Sequence, residues 1–453
     1  MLNAILTHDL QVVCIDQGRL VQRGIDRIKD LSEIACITTL GEKFSITNCQ
    51  RTVWFDFITK RIDRAIPAGS IDLIPVDMGI FSIKYETRYM RADNLNSIDF
   101  GPEEAFLWEN FKLVDIDRFK TLLHVAKNKW SCEGKTISLN ARRSNFKEVF
   151  FGDIHVSLEH FLNYLEKKEY FFDFVFTSGW KVYKAHLIKP AFVFVAFGRG
   201  NVLKQLAVSM KSLENPGNYK GDIFIITDLS DTEIKSIVPK IFHSYTTIIN
   251  ATARDQLDYV GARLSIFNSR LLDNYQPIIY SDADVIFDTC LDNFIQISAS
   301  SEKCSAQIEP FHSFKESEHT GGSLFKQDPF EISDVKGFNG GILMVPNIRD
   351  HGRNILAAYT SLQYYTSQHG RDSIPFYDQS VLNYSLYKLQ DFDPSPVSER
   401  TLVGGSGHAG VRALNPVDPA TPKGFVHFWN SNQRDKDMEE YLLEVVEKSN
   451  YLI

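Results

Sequence analysis

Ile278-Ile279-Tyr280-Ser281-Asp282-Ala283-Asp284-Val285-Ile286-Phe287 places two carboxylates, one residue apart, at the end of an apolar run. An apolar run of this length with polar boundaries reads as a buried strand. The C-terminal ends of strands are where open α/β sheets bind ligands. Two acids in such a place repel each other and cost desolvation unless a cation lies between them. A divalent metal meets that need, and a metal held by one or two carboxylates completes its shell with waters and substrate phosphates. The segment therefore points to a metal–diphosphate site. A turn or cap pair at a strand end competes on equal terms while the segment is read alone. Asp-x-Asp also occurs at Asp115/Asp117, Asp391/Asp393 and Asp435/Asp437, in polar or mixed surroundings where solvated charges account for it.

The flanking pattern alternates from Pro190 onward. Ala191-Phe192-Val193-Phe194-Val195-Ala196-Phe197 is a short β-rich apolar run, broken by Gly198-Arg199-Gly200. Leu203, Leu206, Ala207, Met210 and Leu213 then recur at helical spacing. Asp222–Thr227 reads as a second strand, and Ser230 as the cap of a helix opening at Asp231-Thr232-Glu233. A helix over about Leu257–Leu272 precedes the strand ending at Tyr280, and Met438–Val446 is an amphipathic helical stretch. Strand–helix–strand alternation predicts a mainly parallel, Rossmann-like sheet. Gly198-x-Gly200 lacks the third glycine of a dinucleotide fingerprint, because Leu203 occupies it.

Before Lys189-Pro190 helical periodicity is scarce and short β-prone runs dominate, among them Arg51–Ile58, Phe81–Tyr85 and Lys147–Phe151. The expected division is residues 1–189, β-rich, and residues 190–453, α/β. Three stretches, Gly41–Ile46, Glu86–Asp93 and Trp130–Leu139, look faintly alike at a spacing of roughly 40 to 45 residues, a range where internal repeats are considered. Three such units would suit a β-trefoil. Any other β-rich domain would offer similar runs.

Composition narrows the class. The 453 residues correspond to about two or three domains. A 43% hydrophobic content, with 33 Phe and 18 Tyr, is ample for real cores. A net charge of -8 without a dense basic stripe argues against nucleic acid. The six cysteines form no C-x-x-C pair and read as reduced thiols. The N-terminus has no basic and apolar leader, and no apolar segment approaches the roughly 18 residues of a membrane span. The expectation is a soluble, cytoplasmic chain of undetermined oligomeric state.

Three further segments carry polar groups that a ligand can use. Gly337-Phe338-Asn339-Gly340-Gly341-Ile342 lets the backbone approach a ligand and offers an amide, or is simply a tight turn into a strand. Tyr377-Asp378-Gln379-Ser380 could hold sugar hydroxyls or cap a helix. In Gly424-Phe425-Val426-His427-Phe428-Trp429, a lone His on an apolar strand is most often a core residue. Beside two carboxylates it becomes a third ligand suited to Mn²⁺ and similar ions. Gly404–Gly410 reads as a mobile loop able to close over a substrate.

Taken in order, Tyr280-Ser281-Asp282-Ala283-Asp284, Phe338-Asn339-Gly340-Gly341, Asp378-Gln379 and His427-Phe428 resemble the glycogenin-like family 8 glycosyltransferases of the GT-A fold. The resemblance covers about Phe192–Trp429. It implies transfer of a hexose from a UDP-sugar to a glycan, lipid-linked saccharide or protein acceptor, with anomeric retention. It further implies Asp282, Asp284 and His427 as ligands of Mn²⁺ (or Mg²⁺). Phe197, Arg263, Ser281, Asp282, Ala283, Gly340 and Gly341 would bind the donor, and Asp378, Gln379 and Asn339 would lie at the reacting sugar. Two departures stand out. Ser380 follows Asp-Gln where the family often carries another acid, and Trp429-Asn430-Ser431-Asn432-Gln433 replaces its glycine and Lys-Pro. Arg434 or Lys436 would then have to supply the missing cation. A binding protein with a degenerate transferase domain is the alternative. A sugar-phosphate nucleotidyltransferase is disfavoured because Gly198-Arg199-Gly200 is too short for its nucleotide loop. Tyr89–Asp93 followed by Trp108–Val114 resembles one repeat of fascin-like β-trefoils.

Overall fold

In a computed structural model of the protein, residues 2–41, 43–57, 59, 61–65, 69–77, 79–93, 97–165, 172–371, 373, 376–415 and 421–450 are described. The chain divides into two compact units, Met1–Leu187 and Ile188–Ile453.

The first unit is β-rich. Twelve strands between Leu2 and Asp115 pair antiparallel in one sheet, and a four-stranded sheet follows. Antiparallel sheets tolerate one packed and one wet face, yet both faces of the large sheet bury apolar residues, in clusters around Phe119 and Trp130 on one side and Phe55 and Phe111 on the other. The three look-alike stretches do not take equivalent places in these sheets. Each contains a hairpin turn, between Ala35–Leu40 and Lys43–Asn48, between Ile80–Tyr85 and Arg88–Ala92, and between Lys129–Cys132 and Lys135–Ile137. The third belongs to the four-stranded sheet. Their likeness is turn chemistry: Gly41, Glu86, Glu133 and Gly134 all take positive φ. Glu42 lies outside the described residues. Two helices, Ile116–Lys127 and Leu158–Tyr164, also interrupt a region read as strands and turns. Asp115 caps the first, and its buried Phe119, Leu122, Leu123 and Ala126 form one face.

The second unit is built on a six-stranded sheet in the order Thr246–Asn250, Asp222–Thr227, Ala191–Val195, Ile278–Ser281, Lys336–Val345, Ser305–Ser313. The first four strands are parallel. Lys336–Val345 runs antiparallel to both of its neighbours, so the sheet is mixed. That reversal sets the segment just after Asn339-Gly340-Gly341 beside the end of the Asp-x-Asp strand, with Ser281 opposite Ile342. Apolar clusters cover both faces, one holding Leu206, Met210 and Leu213 of the helix Asn201–Glu214, the other Ile355, Ala358 and Leu362 of Ile348–His369. Ser230 and Glu233 form a full capping box at Asp231–Ile237, worth about 1 kcal/mol.

Two local expectations are corrected. The predicted helix over Leu257–Leu272 is a ten-residue helix, Gln256–Ser265, followed by two short 3-10 turns; Ser269 caps the second and breaks the continuation. Gly404–Gly410 is not a free loop. A Cβ at Gly404 would come 2.5 Å from the Phe428 ring, and Gly407 opens the helix Gly407–Leu414. No described helix is long and apolar enough to cross a membrane.

Candidate functional site

The apolar run at Ile278 is two strands rather than one. Ile278–Ser281 belongs to the six-stranded sheet, and Val285–Phe287 pairs with Phe425–His427 in a three-stranded sheet. Asp282-Ala283-Asp284 is the corner between them. Backbone bonds pin it from both sides: the Asp282 N–H donates to the Gly341 carbonyl (2.7 Å), and the Phe428 N–H donates to the Asp284 carbonyl (2.9 Å). Register then sets Val285 opposite His427.

The corner gathers three ligand-type groups. One carboxylate oxygen each from Asp282 and Asp284 and one His427 nitrogen lie within 4.8 Å of one another. His427 Nε2 is 3.3 Å from Asp284 Oδ1 and 4.0 Å from Asp282 Oδ2, while its buried Nδ1 has no hydrogen-bond partner. Gly341 makes room for the ring: a Cβ there would come 2.1 Å from His427 Cε1. Burial raises the Asp282 carboxyl above its ordinary pKa, only partly offset by Arg263. Burial also works to raise Asp284, but His427 and then Arg434 outweigh it and hold that carboxyl below the ordinary value. Burial likewise opposes an imidazolium at His427, and Asp284 outweighs it, so the His427 pKa is raised. Two carboxylates and an imidazole converging at a partly open corner fit a divalent cation of the Mn²⁺ or Mg²⁺ kind.

Arg434 stands on the other side of Asp284, with Nη1 2.9 Å from Asp284 Oδ2 and Nη2 donating to the Trp429 carbonyl (3.1 Å). It opens the helix Arg434–Asn450. Arg263 is buried and fully engaged. Its Nε bonds Asp378, its Nη1 donates to the Gly340 carbonyl (2.7 Å), and the same nitrogen is 3.5 Å from Asp282 Oδ1. The guanidinium also lies 4.9 Å from the centre of the Tyr280 ring, and the Tyr280 hydroxyl donates to Asp282. Gly340 donates its N–H to Gln379 Oε1 (3.2 Å), and Gly341 donates to Asn339 Oδ1 (2.8 Å). Asn339, Gly340, Gly341, Asp378 and Gln379 thus form one connected wall with Arg263 and Asp282.

Other predicted residues lie elsewhere. Phe197 stacks on Tyr259 (5.1 Å between centroids) and lines a cavity of about 630 Å³ with Ala251, Thr252, Gly261 and Ala262. This cavity opens past the ends of parallel strands and includes the neighbours of Arg263 in its helix. Ser281 is buried and bonds locally to the Asp282 carbonyl, and the Ala283 methyl packs into the core. Neither side chain reaches the carboxylate cluster.

One residue escaped the sequence reading. Glu309 Oε1 accepts from Asn339 Nδ2 (3.1 Å) and from Gln379 Nε2 (3.4 Å). It belongs to no motif; Pro310 beside it, which demotes a run to edge strand, is the only hint. Among the described residues a second ligand-type group is Cys304, His351 and Asp391. Asp391 there already accepts from His351 Nδ1 (2.8 Å), Asn354 Nδ2 (2.6 Å) and the Cys304 thiol (3.7 Å). This buried, satisfied carboxylate ties the helix Ile348–His369 to the sheet edge.

A family model described as glycosyl transferase family 8 matches residues 164–392, a little over half the chain. No curated protein matches. Solved structures similar to this chain include the galactosyltransferase LgtC in complex with donor and acceptor sugar analogues (16% identity, 57% of this chain and 95% of that one, TM-score 0.40). The WbbM bifunctional glycosyltransferase is 13% identical over 57% of this chain and 51% of that one, with TM-score 0.40. The glycosyltransferase GlyE of Streptococcus pneumoniae TIGR4 is 17% identical over 58% of this chain and 64% of that one, with TM-score 0.38. On the strength of the sequence match, the chain belongs to glycosyl transferase family 8.

Proposed function

We propose that this glycosyltransferase moves a hexose from a UDP-sugar to an acceptor, with retention, using a divalent metal at Asp282, Asp284 and His427. The observation that carries the reading is the convergence of these three groups on the corner between two sheets. The residues fit a metal: the imidazole is seated against Gly341, where any Cβ would displace it, and two carboxylates share one small space. When bound, Mn²⁺ or Mg²⁺ would neutralise charge on the departing diphosphate.

The chain's own residues supply the rest. The cavity beside Phe197 and Tyr259 takes the nucleoside, its aromatic wall suiting a base. Arg434 faces the metal-site carboxylate and takes the role of the absent lysine toward the diphosphate. Arg263 holds Asp378 and the Gly340 carbonyl in place, fixing the wall on which the hexose rests. Asn339 and Gln379 bond the sugar hydroxyls, which pair with amide groups, and Asp378 acts from behind through Arg263.

Calorimetric titration with UDP, once with Mn²⁺ and once with EDTA, tests the reading. Metal-dependent binding that Asp282→Asn or Asp284→Asn abolishes is the expected result. Undiminished metal dependence in both variants would refute the site assignment. Absence of UDP binding in the wild type would favour the second reading, a glycan- or protein-binding role for a degenerate domain, which rests on Trp429-Asn430-Ser431 replacing the family's glycine and Lys-Pro.

A further inference from the structure

The edge strand Ser305–Ser313 departs from its ladder where Glu309 lies. Ile308 pairs with Phe338 and Ser313 with Lys336, so four residues, Glu309-Pro310-Phe311-His312, stand against the single residue Gly337. Bulges of this kind re-aim side chains and recur beside active sites. Here the bulge sends Glu309 inward to Asn339 and Gln379 and leaves Phe311 90% exposed.

Next to the bulge three rings stack in series. His312 lies 4.8 Å from His319 at 12°, and His319 lies 3.7 Å from Phe376 at 24°. His319 is tied to the wall, because its carbonyl accepts from Gln379 Nε2 (3.0 Å). Phe376, the outer ring, is half exposed, and both Phe376 (φ +56°) and Tyr377 (φ +42°) adopt left-handed backbone. Two consecutive bulky residues in that region are strained. The strain immediately precedes Asp378-Gln379, and it holds an aromatic ring toward solvent instead of burying it.

We propose that this stack is an acceptor subsite for a neutral pyranose at the end of a glycan. The inference rests on the transferase reading above. A pyranose has C–H groups on one face and hydroxyls around its edge. The negative face of an aromatic ring suits the first, and a carboxylate with a neighbouring amide suits the second. Phe376 supplies the face, while Glu309 and Gln379 supply the edge. Glu309 disfavours an anionic acceptor, and a ring platform bordered by hydrogen-bonding groups matches a sugar better than a peptide or a lipid surface.

The test is saturation-transfer NMR on the full chain with a panel of neutral methyl hexosides, with and without UDP and Mn²⁺. A tyrosine-containing peptide and phosphatidylcholine vesicles serve as the competing occupants. The expected result is transfer to the C–H groups of one face of at least one hexoside, with affinity falling about tenfold in Phe376→Gly. Glycine accepts the left-handed backbone at 376, so the turn is kept. Trp180→Ala, an exposed ring in the other unit, controls for unspecific stacking and should leave binding unchanged. Binding that is equal in Phe376→Gly and wild type, or occupancy by the peptide or vesicles alone, overturns the subsite. UDP titration in parallel separates the two readings. Hexoside binding that depends on Phe376 without UDP binding leaves the subsite standing and removes the donor reading. UDP binding without any hexoside binding removes the subsite alone.

Discussion

Arg263 and Asp378, 115 positions apart in the chain, form a buried ion pair that joins the helix before the Asp-x-Asp strand to the helix Tyr377–Lys388. Their side chains are 9% and 2% exposed. Removing one partner leaves a charge in a space without water, which costs roughly 3–5 kcal/mol, whereas an apolar replacement of both can be close to neutral. Arg263→Met and Asp378→Leu should therefore each destabilise strongly, and the double variant should recover a large part of the loss. Urea denaturation of the four proteins measures the coupling, and additive losses would contradict it.

Gly341 is the tightest approach at the carboxylate cluster. Its missing Cβ is what admits the His427 ring. Gly341→Ala should displace the imidazole while leaving the strand ladder intact, since the residue's N–H bond to Asn339 Oδ1 needs no glycine. The expected outcome is at least a tenfold loss of metal-dependent UDP affinity with an unchanged far-UV spectrum. Titration with and without EDTA reads it directly.

Asp288 offers a pH test away from that cluster. Its Oδ1 accepts from the Lys423 (3.1 Å) and Gly424 (2.7 Å) N–H groups, and its Oδ2 accepts from the Tyr441 hydroxyl (2.9 Å). Burial nevertheless dominates and raises its pKa above the ordinary carboxylate value. The folded state then binds a proton that the unfolded state has released, so stability falls as pH rises from the unfolded pKa through the folded one. Asp288→Asn keeps an acceptor oxygen for the two N–H groups and should flatten this acid-side slope. Asp288→Ala orphans them at a cost of about 1–3 kcal/mol. Thermal denaturation from pH 3.5 to 7 compares the slopes.

The parts of the second unit that were legible in the sequence are those whose signal is local. Ala191–Val195 and Asp222–Thr227 are short β-rich apolar runs with turn residues beyond, and Ser230 with Glu233 is a cap that reads from spacing alone. The split at Asp282 was not legible, because an apolar run looks the same whether its strand stays in one sheet or crosses into another. The reversal of Lys336–Val345 was equally hidden, since strand direction leaves no trace in period-two patterning. Glu309 was missed because its role depends on a bulge, and a bulge is a mismatch between two strands rather than a pattern in one. In the first unit, Phe119, Leu122 and Leu123 carry helical spacing, but strand-like residues on either side obscured it.

Arg434 allows the proposed diphosphate contact to be separated from the proposed metal site. In the folded chain it bonds Asp284, and it is anchored by the Trp429 and Ser431 carbonyls, so its guanidinium is aimed rather than free. A cation in that position strengthens binding of a diphosphate through charge-assisted bonds but adds nothing for an uncharged nucleoside. Arg434→Gln should therefore weaken UDP about tenfold and leave uridine affinity as it is, with Mn²⁺ dependence retained because Asp282, Asp284 and His427 remain. Arg434→Lys should restore part of the UDP affinity, a point charge without the planar fork. Equal losses for UDP and uridine would mean that Arg434 acts by shaping the corner, and the diphosphate contact would have to come from another residue, with Lys436 the next in sequence to examine.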